Sequence, residues 1–162
     1  MNAKFRLART ADIGVLVDLE NRSFSSDRLS RQALRRLIAS PSAAVIVAVQ
    51  GQALAGYAVV LFRAGTSVAR LYSLAADPRF PGTGHALLAT CEREAGLRGC
   101  TRLRLEVRAD NIRAINLYER MAYSRFGARP GYYADGETAL RFEKSLATPD
   151  KTAPRLAGTA AA

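Results

Sequence analysis

Residues 68–88 read VARLYSLAADPRFPGTGHALL, and this stretch decides the fold. Val68–Ala76 is an apolar, strand-forming run that ends at Asp77-Pro78, a pair that breaks regular structure. From Thr83 onward Leu87, Cys91 and Ala95 recur every four residues with Leu88 beside them, which predicts a helix over 83–98 beginning inside the loop. Gly99 is a natural stop, and 101–108, TRLRLEVR, then alternates as a strand with one apolar face. Strand, helix and strand in this order make a right-handed parallel crossover. The loop itself has a chemical reading. Gly82 and Gly84 remove side chains that would keep an anion from the main chain, and the first N–H groups of the helix are free to donate. The helix dipole adds positive potential, and Arg79 supplies a full charge nearby. Such a loop fits a diphosphate, but it names no reaction.

Working outward, Phe5–Ala8 alternates as a first strand, and Thr10 or Asp12 can cap a helix running to Glu20. A second helix is expected from about Ser30 to Ile38, and 43–49 with 54–62 form a hairpin around Gln50-Gly51-Gln52. Beyond the crossover, Asp110 is expected to cap a helix containing Ile112, Ala114, Ile115, Leu117, Tyr118 and Met121. Strands near 123–127 and 138–144 close the domain. The fold class is therefore α/β, a mixed sheet of about seven strands with helices on both faces. One domain spans 1–147. From Thr148 the composition turns to Ala, Thr, Pro and Lys without periodicity, so 148–162 is expected to be a disordered tail.

The chain has 162 residues and a formal charge of +10, carried by 21 Arg and 3 Lys. Those arginines are scattered from Arg6 to Arg155 without interleaved base-stacking aromatics, which argues against dedicated nucleic-acid binding. Two cysteines nine positions apart and a single histidine form neither a disulfide framework nor a metal site, so no metal is expected. No stretch approaches eighteen consecutive apolar residues and no basic-then-apolar leader is evident. The expectation is a cytoplasmic protein without membrane partners, compatible with a monomer or a homodimer.

Residues 103–121, LRLEVRADNIRAINLYERM, and 131–144, GYYADGETALRFEK, carry a resemblance. With the glycine loop, they make the chain similar to the GNAT superfamily of N-acetyltransferases, and within it to RimI-like protein N-terminal acetyltransferases. The resemblance covers residues 4 to about 146 and implies the GNAT fold, with a mostly antiparallel twisted sheet and a parallel β-α-β crossover that binds acetyl-CoA. It implies that Arg79, Phe80, Pro81, Gly82, Thr83, Gly84 and His85 cradle the pyrophosphate. Leu74, Ala75 and Ala76 would bond the pantetheine arm through backbone, and Asn111 would contact the cofactor. Glu106 takes the position of the general base and Tyr118 that of the general acid. Tyr132 and Tyr133 would line the acceptor groove. The spacings agree, with 22 residues from Gly84 to Glu106 and 12 from Glu106 to Tyr118. One departure stands out: Arg79 directly follows Pro78, so the loop is two residues short of the family pattern. Counting from Pro78 instead puts Pro81 and Ala86 in the motif positions.

Acetyl transfer to an amine by direct attack needs a group to take the amine proton and another to protonate or stabilise the leaving thiolate. A carboxylate and a phenol meet those needs without a protein nucleophile. The acceptor implied by the resemblance is a protein N-terminal α-amine. A small amine (a polyamine, amino acid or aminoglycoside) is an alternative, as is a non-catalytic CoA- or nucleic-acid-binding module. Glu20, at the end of the first helix, reads more simply as a surface charge than as part of an acceptor groove.

Overall fold

The computed structural model describes residues 2–158. Its elements are β1 (Lys4–Leu7), a 3-10 turn (Thr10–Asp12), α1 (Ile13–Ser23), α2 (Arg31–Ala39), β2 (Ala43–Gln50), β3 (Ala53–Leu61) and β4 (Val68–Ala76). They continue with α3 (Thr83–Leu97), β5 (Arg102–Arg108), α4 (Ile112–Arg120), β6 (Ser124–Arg129) and β7 (Ala139–Ser145). Seven strands form one sheet in the order β1-β2-β3-β4-β5-β7-β6, antiparallel except for the β4–β5 pair. This is the mixed, mostly antiparallel architecture expected from the sequence.

Each face of the sheet has its own core. Leu87, Leu88, Cys91 and Ala95 of α3, with Tyr118 of α4, pack on Ile46, Ala58, Leu71, Leu103 and Leu105. On the other face, Leu16 and Leu19 of α1 and Leu34 of α2 cover Val45, Val47, Tyr57, Val59 and Ala75. The α3–β3 approach is close enough to require glycine. A Cβ on Gly56 would lie 2.8 Å from the Ala75 carbonyl oxygen and 2.9 Å from Leu87 Cδ1.

Two irregularities position the site. In β4 the register with β3 jumps from Val59↔Ser73 to Val60↔Leu71, leaving Tyr72 as an extra, bulged residue. The bulge reverses which face the strand presents. Leu71 and Ala69 lie in the α3 core, whereas Ala75 lies in the α1 core. Pairing between β4 and β5 ends at Leu71↔Leu105, although β4 runs on to Ala76 and β5 to Arg108. The two strands thus part, leaving one edge of 72–76 unpaired.

Local details differ from expectation in two places. Asn111, not Asp110, caps α4, its side chain accepting from Ala114 N–H at 3.1 Å. Asp110 instead pairs with Arg108 at 3.1 Å. The stretch expected to be a structureless tail is held as far as it is described. Pro149 lies against Gly96, Arg155 reaches Glu94 at 3.0 Å, and Leu7 N–H bonds the Ala157 carbonyl at 3.0 Å. Anchoring came from partners that composition does not register, namely buried Glu94 and the open edge of β1. Residues 159–162 of that tail lie outside the described residues. No helix among the described residues is long and apolar enough to cross a membrane.

Candidate active site

A cavity of about 480 Å³ opens where β4 and β5 part. Arg70, Ser73 and Leu74 line it from β4, Glu106 and Arg108 from β5, and Asn111, Ala114 and Tyr118 from α4 and its cap. The remaining wall is two loops, 24–29 after α1 and 130–138 before β7, which contributes Tyr132 and Tyr133. Glu106 and Tyr118, twelve residues apart in sequence, therefore face one space.

Strand alternation sets the Glu106 side chain on the α1 face while Leu105 and Val107 fill the α3 core. Its carboxylate is mostly enclosed. Arg70 Nε donates to Oε2 at 3.1 Å, and Arg141 Nε stands 3.8 Å from Oε1. Arg70 also donates to the Tyr132 hydroxyl at 2.7 Å, tying the 130–138 loop to the floor. Tyr132 and Tyr133 meet edge to face at 5.0 Å, and the Arg108 guanidinium lies 5.0 Å from the Tyr133 ring centre. Burial pushes the Tyr133 phenol up to about 12.

Tyr118 is a buried residue of α4 between Tyr123 and Phe142. Burial, with smaller effects from Cys91 and Tyr133, pushes its phenol well above the ordinary range. The hydroxyl therefore keeps its proton at neutral pH.

The glycine loop forms the N-terminus of α3. Gly82, at φ +84°, is the N-cap in the left-handed region that favours glycine. Gly84 faces α4 and the end of β4, where a Cβ would sit 3.5 Å from Leu117 Cδ2 and 3.9 Å from Ala76 Cβ. Thr83 is buried, its hydroxyl donating to the Phe80 carbonyl at 2.7 Å. His85 and Pro81 are exposed, and Phe80 is half-buried. The N–H groups of Gly84 and His85 fall in the first turn, where an α-helix offers no internal acceptor. Glycine at both positions and an unencumbered helix start fit a diphosphate group.

Arg79 behaves differently from its expected part. Its guanidinium is folded onto Asp77, with Nη2 at 2.7 Å from Oδ2 and Nε at 3.1 Å from both oxygens. Asp77 is buried and also accepts the Arg79 backbone N–H at 2.9 Å, with Arg22 3.6 Å away. These contacts, led by the Arg79 side chain, lower the Asp77 carboxyl to about 2. The pair leaves the Arg79 side chain 72 % exposed beside the glycines. Of the expected pantetheine-binding residues, Leu74 lines the cavity, Ala76 lies near Gly84, and Ala75 packs under α1.

Several residues escaped sequence reading. Glu20 is not a surface charge but 2 % exposed, at the floor of the cavity. It accepts the Leu29 N–H at 2.7 Å and the hydroxyl proton of buried Tyr57, so it pins the 24–29 loop to the sheet. Burial raises its carboxyl above the ordinary value. Ile13, Leu16 and Leu19 run along one face of α1, and Glu20 continues that stripe at the i+7 position, the one signal available. Arg70 and Arg141 were invisible because only cross-strand register brings them to Glu106.

This fold, with an opened parallel pair beside a glycine-started helix, is that of an acyltransferase class. The family model described as Acetyltransferase (GNAT) family matches residues 14–123, and the chain belongs to that family. Among curated relatives, the [ribosomal protein bS18]-alanine N-acetyltransferase of Escherichia coli (strain K12) is 42% identical over 67 residues, covering 40% of this chain and 45% of that protein. Thus the matched part spans less than half of that relative. A putative enzyme of the same description from Bacillus subtilis (strain 168) is 30% identical over 141 residues, covering 85% of this chain and 92% of that one. The crystal structure of the Escherichia coli ribosomal-protein-S18-alanine N-acetyltransferase superposes with a TM-score of 0.79 at 25% identity, covering 94% of this chain and 99% of that chain. A putative acetyltransferase from Salmonella typhimurium, solved with its cofactor acetyl-CoA, shares the fold at a TM-score of 0.77 and 17% identity, with 96% and 99% covered.

Proposed function

We propose that this chain transfers the acetyl group of acetyl-CoA to the N-terminal α-amine of a protein or peptide, by direct attack within a ternary complex in the cytosol. The observation that carries the reading is the single cavity at the β4–β5 opening, lined by Glu106 on one side and Tyr118 on the other. Gly82, Gly84 and the first-turn N–H groups of α3 would hold the pyrophosphate, and the free edge of β4 at Leu74–Ala76 would receive the pantetheine amides. Acetyl-CoA supplies an activated acyl group, and the chain orients it.

Glu106 takes the proton of the attacking ammonium, directly or through a water, as its position in the groove allows. Tyr118, kept protonated by burial, holds the proton that the departing thiolate requires. Asn111 uses its side-chain oxygen on the α4 cap, so only its amide nitrogen is left for the ligand. Tyr132 and Tyr133 form a wall against which an acceptor backbone can lie. A peptide is favoured over a small amine because two separate loops, 24–29 and 130–138, bound the groove and leave it continuous with the sheet face beyond Glu106.

The test is thiol release from acetyl-CoA against a panel of N-terminal peptides and small amines, with mass spectrometry locating the acetyl group. Acetylation of the peptide α-amine is expected. Turnover on polyamines or amino acids with every peptide silent would give the acceptor to the small-amine class. Silence across the whole panel with acetyl-CoA still bound would leave a non-catalytic CoA module.

A further inference from the structure

Helices α1 and α2 cover β2, β3 and β4, but on the same face of β5, β7 and β6 the side chains are charged and partly exposed. Cross-strand register gathers them. Glu106 faces Arg141, Arg104 faces Glu143, and Arg70 lies beside Arg104 in the parallel pair. Arg102 and Arg104 both reach Glu143 at 2.8 Å, while Arg70 and Arg141 share Glu106 at 3.1 and 3.8 Å. Four guanidinium groups are thus served by two carboxylates. Phe126, set at the register shift in β6, has the Arg104 guanidinium 5.0 Å and the Arg141 guanidinium 4.6 Å from its ring centre. Arg141 Nε is buried without a hydrogen-bond partner among the described residues.

We infer that this arginine face, continuous with the cavity at Arg70 and Glu106, selects acceptor polypeptides carrying acidic side chains within the few residues after their N-terminal amine. The inference rests on the proposed peptide acetylation and names its substrate class. Charge balance drives it. When Glu106 accepts the proton of the amine it becomes neutral, and Arg70 and Arg141 lose the carboxylate they shared. A partly buried cation left without a partner is costly, and an acceptor carboxylate restores the pair. The Arg141 side chain is partly exposed beside Glu106, and Arg104 lies next along the path away from the cavity. A basic sequence following the amine would meet like charge. Phe126, the aromatic beside Arg104 and Arg141, is engaged by both guanidiniums instead of offering a free stacking face, which favours a peptide over a nucleic acid.

The experiment compares peptides that share a first residue and differ at positions two to six, acidic, neutral or basic, in steady-state kinetics at low and high salt. The acidic series is expected to exceed the basic by about tenfold in kcat/KM, with the gap shrinking as salt rises. Arg104→Glu is expected to reverse the ranking, and Arg102→Glu to narrow it. Because each ranking is a ratio within one preparation, partial misfolding does not mimic it. Equal rates for the three series, or a preference for the basic one, would overturn the inference while leaving peptide acetylation intact. Thiol release on small amines with all peptides silent would instead fell the peptide reading, and this inference with it. A missing ranking together with an RNA oligonucleotide whose binding is lost in Arg104→Glu would reassign the face to nucleic acid.

Discussion

The two loop glycines are expected to respond differently when each is replaced by alanine. Gly82 sits at φ +84° with nothing within 4 Å of an added Cβ, so Gly82→Ala meets no steric obstacle. Its cost is conformational, about 1–2 kcal/mol for an L residue held in the left-handed region. That strain either lowers the folding stability or relaxes the loop and misaligns the start of α3. In the first case the urea midpoint falls. In the second, acetyl-CoA affinity drops by about fivefold to thirtyfold, the same energy read as an equilibrium constant. Gly84, by contrast, has ordinary helical φ and room for a methyl 3.5 Å from Leu117 Cδ2. Gly84→Ala should preserve or slightly raise stability, since alanine is the better helix former. Its methyl would rest against Leu117 and Ala76, so acetyl-CoA affinity should stay near the parent's. Urea denaturation and calorimetric titration of acetyl-CoA, run on both variants, separate the two effects. A loss of stability or of affinity in Gly84→Ala would show that Leu117 and Ala76 leave no room for the methyl. If Gly82→Ala changes neither stability nor affinity, the left-handed N-cap carries no weight.

Tyr118→Phe is expected to lower turnover by about 10²-fold or more while leaving the KM for acetyl-CoA near its parent value; an unchanged rate would remove Tyr118 as the acid. Tyr57→Phe deletes the hydroxyl donor to Glu20 and leaves a buried carboxylate oxygen unsatisfied, at a cost of about 1–3 kcal/mol. Urea denaturation should show the loss, and a stability equal to the parent's would mean that the pair does not tie α1 to the sheet. For Asp77 the direction in pH follows from its lowered carboxyl, about 2 in the fold. The unfolded chain binds the proton first as pH falls, so the stabilisation is fully present above about pH 4 and is lost as pH drops towards 2. Asp77→Asn should flatten that acid limb of the stability profile, and parallel profiles for the two proteins would refute the assignment.

What could be read in advance was whatever local periodicity encodes. The alternation of residues 101–108 put Glu106 opposite the core, and the four-residue repeat of Leu87, Cys91 and Ala95 fixed the start of α3 to within a residue. The family motif then named Glu106 and Tyr118, and both line one cavity. Less legible was anything that depends on one extra residue or on a partner far along the chain. Tyr72 bulges out of β4, and with it Ser73 and Ala75 change faces; no pattern in an apolar run announces that shift. Arg79 drew attention as a free charge beside the glycines. Yet a buried aspartate two residues earlier is a better partner than solvent, and Asp77 was there to be weighed. Glu20 shows the opposite limit. Its place on the α1 stripe was visible, but the donors that make its burial tolerable come from Tyr57 on β3 and from the Leu29 backbone. The same holds for the arginine face. Arg70, Arg104 and Arg141 lie on three strands, and register alone turns three scattered charges into one surface beside Glu106. A scattered arginine composition therefore argues only against a linear basic tract. It leaves open a basic face assembled by the sheet, which only cross-strand register reveals.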